Sequence, residues 1–120
     1  MDRVKWIEAK GKRILYTDFS GLNTIEEQIA VLDEQKKIVN MVPGKFLGIS
    51  NFTGAAGSSE FLDQLNKAGK EVFESKAEKQ AILGLTGLKS ILFQTYLRFT
   101  GTKTTKAFAS EEEAIDYLVS

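Results

Sequence analysis

Cysteine and histidine are both missing from this chain of 120 residues, and proline occurs once. The first two absences remove thiol nucleophiles, disulfides, Cys/His zinc sites, the Ser-His-Asp relay and every imidazole general base. Any chemistry must come from carboxylates, lysines, hydroxyls or backbone amides. An excess of one charge is missing as well. Lys+Arg and Asp+Glu each count 16, for a formal net charge of +0. No overall positive field exists to hold phosphate backbones or anionic membranes, so nucleic acid is not an expected partner. Long apolar runs are absent too. None approaches the roughly 20 residues that span a bilayer, and the start Met1-Asp2-Arg3-Val4-Lys5-Trp6 lacks the apolar core of a signal peptide. A cytoplasmic protein without a transmembrane segment is the expectation.

What is present is a globular composition, 42% hydrophobic and 27% charged. The length suits one domain over residues 1–120, enough to bury a core without disulfides or metals. Val4–Glu8 and Arg13–Phe19 alternate and are rich in β-branched and aromatic residues, predicting two strands. Gly11 can supply the positive φ of a tight hairpin between them. From Thr24 the period changes. Ile25, Ile29, Leu32 and Val39 recur at helical spacing with Glu, Gln and Lys between them. Thr24 and Glu27 fit a capping box, and Pro43-Gly44 stops the helix.

Lys45–Asn51 is a third strand, followed by the small-residue loop Phe52–Ser59 and a second helix. In that helix Phe61, Leu65, Ala68 and Val72 share one face. Glu60, Asp63, Lys67, Lys70 and Glu74 form the opposite, solvated face. Gln80–Leu85 is almost wholly apolar, as expected of a central parallel strand. A third helix is predicted from Leu88 towards Phe99 with Gly101 as its stop. Thr104–Ala109 makes the last strand, and Ser110 with Glu113 caps a short terminal helix. The order is ββαβαβαβα, an α/β fold whose sheet is mostly parallel with an antiparallel first strand.

Three stretches carry more than topology: Trp6–Leu22, Leu85–Leu92 with Arg98–Gly101, and Lys106–Ala114. Together they resemble the small standalone bacterial SpoIIAA-like proteins of the STAS type. The resemblance implies a STAS-like fold, akin to anti-sigma-factor antagonists and, more distantly, to lipid-binding CRAL-TRIO domains. Regulatory members carry an Asp-Ser-Ser-Gly-Leu-like turn after the third strand, whose serine is phosphorylated. Here Ser58 and Ser59 stand at about that place, but the aspartate and the Ser-Gly-Leu continuation are absent.

Two regions are candidate sites. In the loop after the third strand, Thr53, Gly54, Ser58 and Ser59 could contact a ligand or partner through small residues and helix-terminal amides. Ser58 and Ser59 are also candidate phosphorylation sites, and the plainer reading makes one of them a helix N-cap. In the second region no acid lies between Glu78 and Glu111, while Lys79, Lys89, Arg98, Lys103 and Lys106 lie inside. Its helix has an apolar stripe wider than one face needs, with Phe93, Leu97 and Phe99 as candidate interface residues for a homodimer, an acyl chain or a membrane surface. Thr86, Lys89 and Arg98 complete the binding set, the two cations suiting an anionic head group.

Asp18 is expected to cap the Ser20–Asn23 turn. Trp6 reads as packing rather than a stacking platform. No Walker loop or dinucleotide fingerprint occurs, so no cofactor, metal or catalytic residue is expected. The expected function is non-enzymatic: a regulatory or ligand-binding domain recognising a protein or a small ligand. The alternative is a CRAL-TRIO/SEC14-like carrier for a lipid or other anionic amphiphile, or a membrane-surface protein.

Overall fold

The alternating N-terminal stretch closes into an antiparallel hairpin of β1 (Val4–Ala9) and β2 (Lys12–Asp18), in a computed structural model that describes residues 2–120. Its turn uses both Lys10 at φ 51° and Gly11 at φ 79°. Two consecutive left-handed residues make the mirror-image turn whose twist matches that of the strands. The sequence pointed only to Gly11.

β3 (Phe46–Asn51), β4 (Ala77–Leu83) and β5 (Thr105–Phe108) extend the sheet in the order β1-β2-β3-β4-β5, parallel from β2 onward. β4 starts and ends earlier than its apolar run suggests. Ala77 already pairs with Phe46, and Gly84 turns the chain at φ 80°.

α1 (Ile25–Met41) and α2 (Ser59–Ala68) cover one face of the sheet, and α5 (Glu111–Val119) covers the other. On the first face Leu15, Phe19 and Phe52 meet Val31, Leu32 and Val39 of α1, and Phe61 of α2. The Phe19 and Phe52 rings stack at 4.7 Å. On the second face Ile14, Leu47, Ile49, Ala81 and Leu83 receive Ala114 and Leu118 of α5. Burying a leucine such as Leu118 contributes about 1.5–3 kcal/mol.

Helix ends follow the capping pattern. Thr24 Oγ1 accepts from the Glu27 amide at 3.3 Å, and Ser110 Oγ from the Glu113 amide at 3.2 Å. The carboxyl end of α1 has no basic residue of its own, but Lys76 donates to the carbonyls of Val39 and Val42. Two glutamines of α1 lie inside rather than on the polar surface. Gln28 is buried and donates to the carbonyls of Leu22 and Ala56, and Gln35 is buried and donates to Ser50 Oγ.

The second predicted helix needs a larger correction. After α2 the chain passes through a π-helical turn, Gly69–Phe73, and then the short α3 (Glu74–Lys76). The wider turn delays the rotation that a regular helix would make. Glu74 therefore leaves the solvated face assigned to it and turns inward. The third predicted helix is α4 (Leu88–Thr100), closed by Gly101 at φ 66°.

Candidate functional site

The pocket lies where α2 and α4 stand apart above the sheet. Its floor is formed by alternating positions of parallel strands, which point to one face. Register pairs Ser50 with Ile82, forming one row across the floor. Gln80 and Thr105 pair in the next row down. Phe61, Leu62 and Leu65 of α2 make one wall, and Leu92, Phe93 and Tyr96 of α4 the other. The cavity between them holds about 80 Å³ and is lined mainly by apolar groups.

Three polar levels cross this apolar body. At the base, Glu74 Oε2 accepts from Tyr96 Oη at 2.6 Å, Thr105 Oγ1 at 2.9 Å and Gln80 Nε2 at 3.0 Å. Burial, with the Glu74 charge second, pushes the Tyr96 hydroxyl far above its ordinary value of 10.0, so it stays protonated and donating. At mid-height Gln35 Nε2 meets Ser50 Oγ at 3.3 Å. At the mouth Lys89 Nζ donates to the Phe52 carbonyl at 2.7 Å. Desolvation lowers the Lys89 pKa from 10.5. Among the described residues no carboxylate forms an ion pair with it.

Two glycines let the walls approach. A Cβ on Gly57 would stand 2.9 Å from Lys89 Cγ, so glycine there lets the lysine fold across the mouth. A Cβ on Gly69 would stand 2.5 Å from Tyr96 Oη, so glycine there admits the tyrosine ring.

α4 is a loosely packed roof. Tyr96 is its only buried residue, while Leu88 is 56% and Ile91 67% exposed. The helix opens at Gly87 with no side-chain cap and is joined to β4 through Gly84 at φ 80°. Phe93 is half-buried, lines the pocket and stacks on Tyr96 with centroids 6.2 Å apart. Leu97 is half-buried. Phe99 is largely exposed under the Lys70 ammonium, 4.9 Å from its ring centre.

Of the residues singled out in the sequence, the fold brings Ser58 and Lys89 to one pocket rim. Ser58 Oγ is the N-cap of α2, accepting from the Phe61 amide at 3.1 Å, and Ser59 is the exposed first residue of that helix. Thr53 donates from its amide and hydroxyl to Asn51 Oδ1, and Gly54 turns beside Gly21. Neither lines the pocket. Thr86 is exposed and accepts the Lys89 amide proton through its carbonyl. Arg98 is exposed, nine positions beyond Lys89, which places it about 13 Å along the helix and on the opposite side.

The acid-free segment does not make one basic patch. Lys79 donates to the Tyr117 and Ser120 carbonyls, and the Lys106 ammonium lies 5.3 Å above the Tyr117 ring, both on the α5 side of the sheet. Asp18 does cap its turn, accepting from the Ser20 amide at 2.8 Å. Trp6 packs against the core with the Arg13 guanidinium 4.3 Å above its ring.

Sequence reasoning missed Gln35, Ser50, Glu74, Gln80 and Thr105. A signal for Gln35 was available: it stands seven residues after Gln28 and four before Val39, on the inward stripe of α1. Glu74 gave none, because a regular helix places it outside.

No protein-family model and no curated protein matches the chain. Among solved structures it is similar to an uncharacterised protein of the DUF3478 family with a SpoIIAA-like fold from Shewanella loihica PV-4. The likeness has a TM-score of 0.62 at 16% identity and covers 96% of this chain and 91% of that one. This chain has the SpoIIAA-like fold. No helix among the described residues is long and apolar enough to cross a membrane.

Proposed function

We propose that this SpoIIAA-like fold serves as a non-enzymatic binding module that takes a small anionic amphiphile between α2 and α4. One observation carries the reading: a mainly apolar cavity opens beside a partly desolvated lysine that has a carbonyl partner but, among the described residues, no counter-ion. A ligand carboxylate at Lys89 would satisfy that cation, and its apolar part would cover Phe61, Leu92 and Phe93. Ligands in α/β sheets bind at the carboxyl ends of the strands, where Phe52 and Leu85 lie. The cavity of about 80 Å³ is smaller than the roughly 300–1,000 Å³ of most ligand pockets. A short chain fits it as it stands, and a longer one requires α4 to swing outward.

Titration with pentanoate, followed by amide NMR, tests this. Amides of Gly57, Lys89 and Phe93 are expected to shift together. Lys89→Gln is expected to weaken binding about tenfold, the effect of losing one charge-assisted hydrogen bond. No shift, or scattered shifts unaffected by the substitution, would remove the assignment.

A second reading, a regulatory domain that docks a protein or a second copy of itself, is favoured by the exposed Leu88, Ile91 and Phe99 on α4. Light scattering on wild type and Ile91→Glu checks the self-association arm. A dimer that the substitution dissociates supports this reading, and a monomer in both removes that arm.

A further inference from the structure

Building on the reading just proposed, we infer that the ligand is a short carboxylate bearing a hydroxyl group at its far end, read by Ser50 and Gln35. The sheet face beneath α2 and α4 is unusually polar. A strand face covered by helices is ordinarily apolar, yet Ser50, Gln80 and Thr105 on the strands, together with Gln35 of α1, line the cavity with exposures of 8%, 5%, 4% and 4%. Buried polar groups persist where hydrogen bonds satisfy them.

At the base that satisfaction is internal. Gln80, Thr105 and Tyr96 all donate to one Glu74 oxygen, and Gln80 also donates to Thr105. The middle level is different. Gln35 donates one amide hydrogen to Ser50 Oγ. Among the described residues, no hydrogen bond takes the Ser50 hydroxyl proton or reaches the Gln35 carbonyl oxygen. One donor and one acceptor are therefore left on a pocket wall. A hydroxyl group, which donates and accepts at once, complements that pair. A methyl terminus would leave both unmatched.

Spacing and volume set the rest of the ligand. Ser50 and Phe52 are two residues apart on the same face of the chain, about 7 Å along the strand direction. The Phe52 carbonyl holds the Lys89 ammonium, so the anion-binding and hydroxyl-binding levels are separated by about that distance. At about 80 Å³ the cavity has room for about five to eight water-sized groups. Phe61, Ile82, Leu92 and Phe93 line the space between, where methylene groups would lie.

Calorimetric titration of the intact protein with 5-hydroxypentanoate and with pentanoate tests the inference. Wild type is expected to prefer the hydroxylated acid about tenfold or more. Ser50→Ala and Gln35→Met are each expected to cut that preference to about twofold or less. Equal or tighter binding of pentanoate by wild type overturns the inference, as does a preference that survives both substitutions. If pentanoate binds with Lys89 dependence but without hydroxyl preference, only this inference falls. If neither acid binds, the proposed function falls with it.

Discussion

The Tyr96 hydroxyl lies where a side chain on Gly69 would begin, 2.5 Å from the position of its Cβ. Ring atoms crowd the same point at 2.8 and 2.9 Å, and Glu74 holds the hydroxyl in place. Alanine at an ordinary helical glycine gains about 0.5–1 kcal/mol. Here the sign reverses. Gly69→Ala is expected to lose about 1–3 kcal/mol through overpacking, measured by urea denaturation. A neutral or stabilising result would mean that α4 yields freely at Tyr96.

Tyr96→Phe removes one of three donors to Glu74. A hydrogen bond to a charged group is worth about 1.5–3 kcal/mol, and a loss in that range is expected at neutral pH. The pH dependence has a definite sign. Unfolded tyrosine ionises above about 10, whereas folded Tyr96 stays protonated, so wild-type stability falls as pH rises beyond that value. Tyr16 and Tyr117, also raised, add to the same slope. The Phe variant should therefore lose stability less steeply above pH 10 than wild type. Equal slopes in denaturation curves across that range would contradict the burial assigned to Tyr96.

Local chemistry was legible in the sequence wherever it is satisfied by neighbours a few residues away. Thr24 with Glu27, Ser110 with Glu113, Asp18 with the Ser20 amide, and Gly101 at the end of α4 all close through such short-range contacts. The strand–helix order follows from the same kind of periodicity. The pocket was only half legible. Lys89 stood out through the charge gap around it, but Arg98 shared that signal and lies on the other side of the helix. The Glu74 cluster joins residues up to 31 positions apart and depends on one π-helical turn that reorients Glu74. Nothing in the 3.6-residue periodicity announces such a turn. The basic run likewise looked continuous because sequence hides the sheet between Lys89 and Lys106.

Thr17 is fully buried on β2, and its hydroxyl oxygen has no hydrogen-bond partner among the described residues. Valine has nearly the same shape without the hydroxyl. Thr17→Val is expected to stabilise the fold by about 1 kcal/mol, read as a higher urea midpoint with an unchanged slope. A loss of stability would show that a water or side chain satisfies the hydroxyl in solution.

Lys89 makes carboxylate binding pH-dependent in a predictable direction. Its pKa in the free protein lies below 10.5, and a bound anion raises it again, so binding takes up a proton in the alkaline range. Pentanoate affinity should fall as pH rises through the free-protein value, before ordinary lysines titrate. Calorimetry in two buffers of different ionisation enthalpy checks the proton uptake. Affinity that holds constant until pH 10.5 would exclude Lys89 as the anion site.

Hydrogen exchange across α4 tests the central claim most directly. At neutral pH a ligand seated between α2 and α4 must oppose opening of that roof. With 5-hydroxypentanoate at 100 times its dissociation constant, amides from Ile91 to Leu97 are predicted to exchange about 100-fold more slowly, the equivalent of about 2.7 kcal/mol. Exchange in α4 that stays unchanged at saturation, with protection appearing elsewhere, would contradict the account.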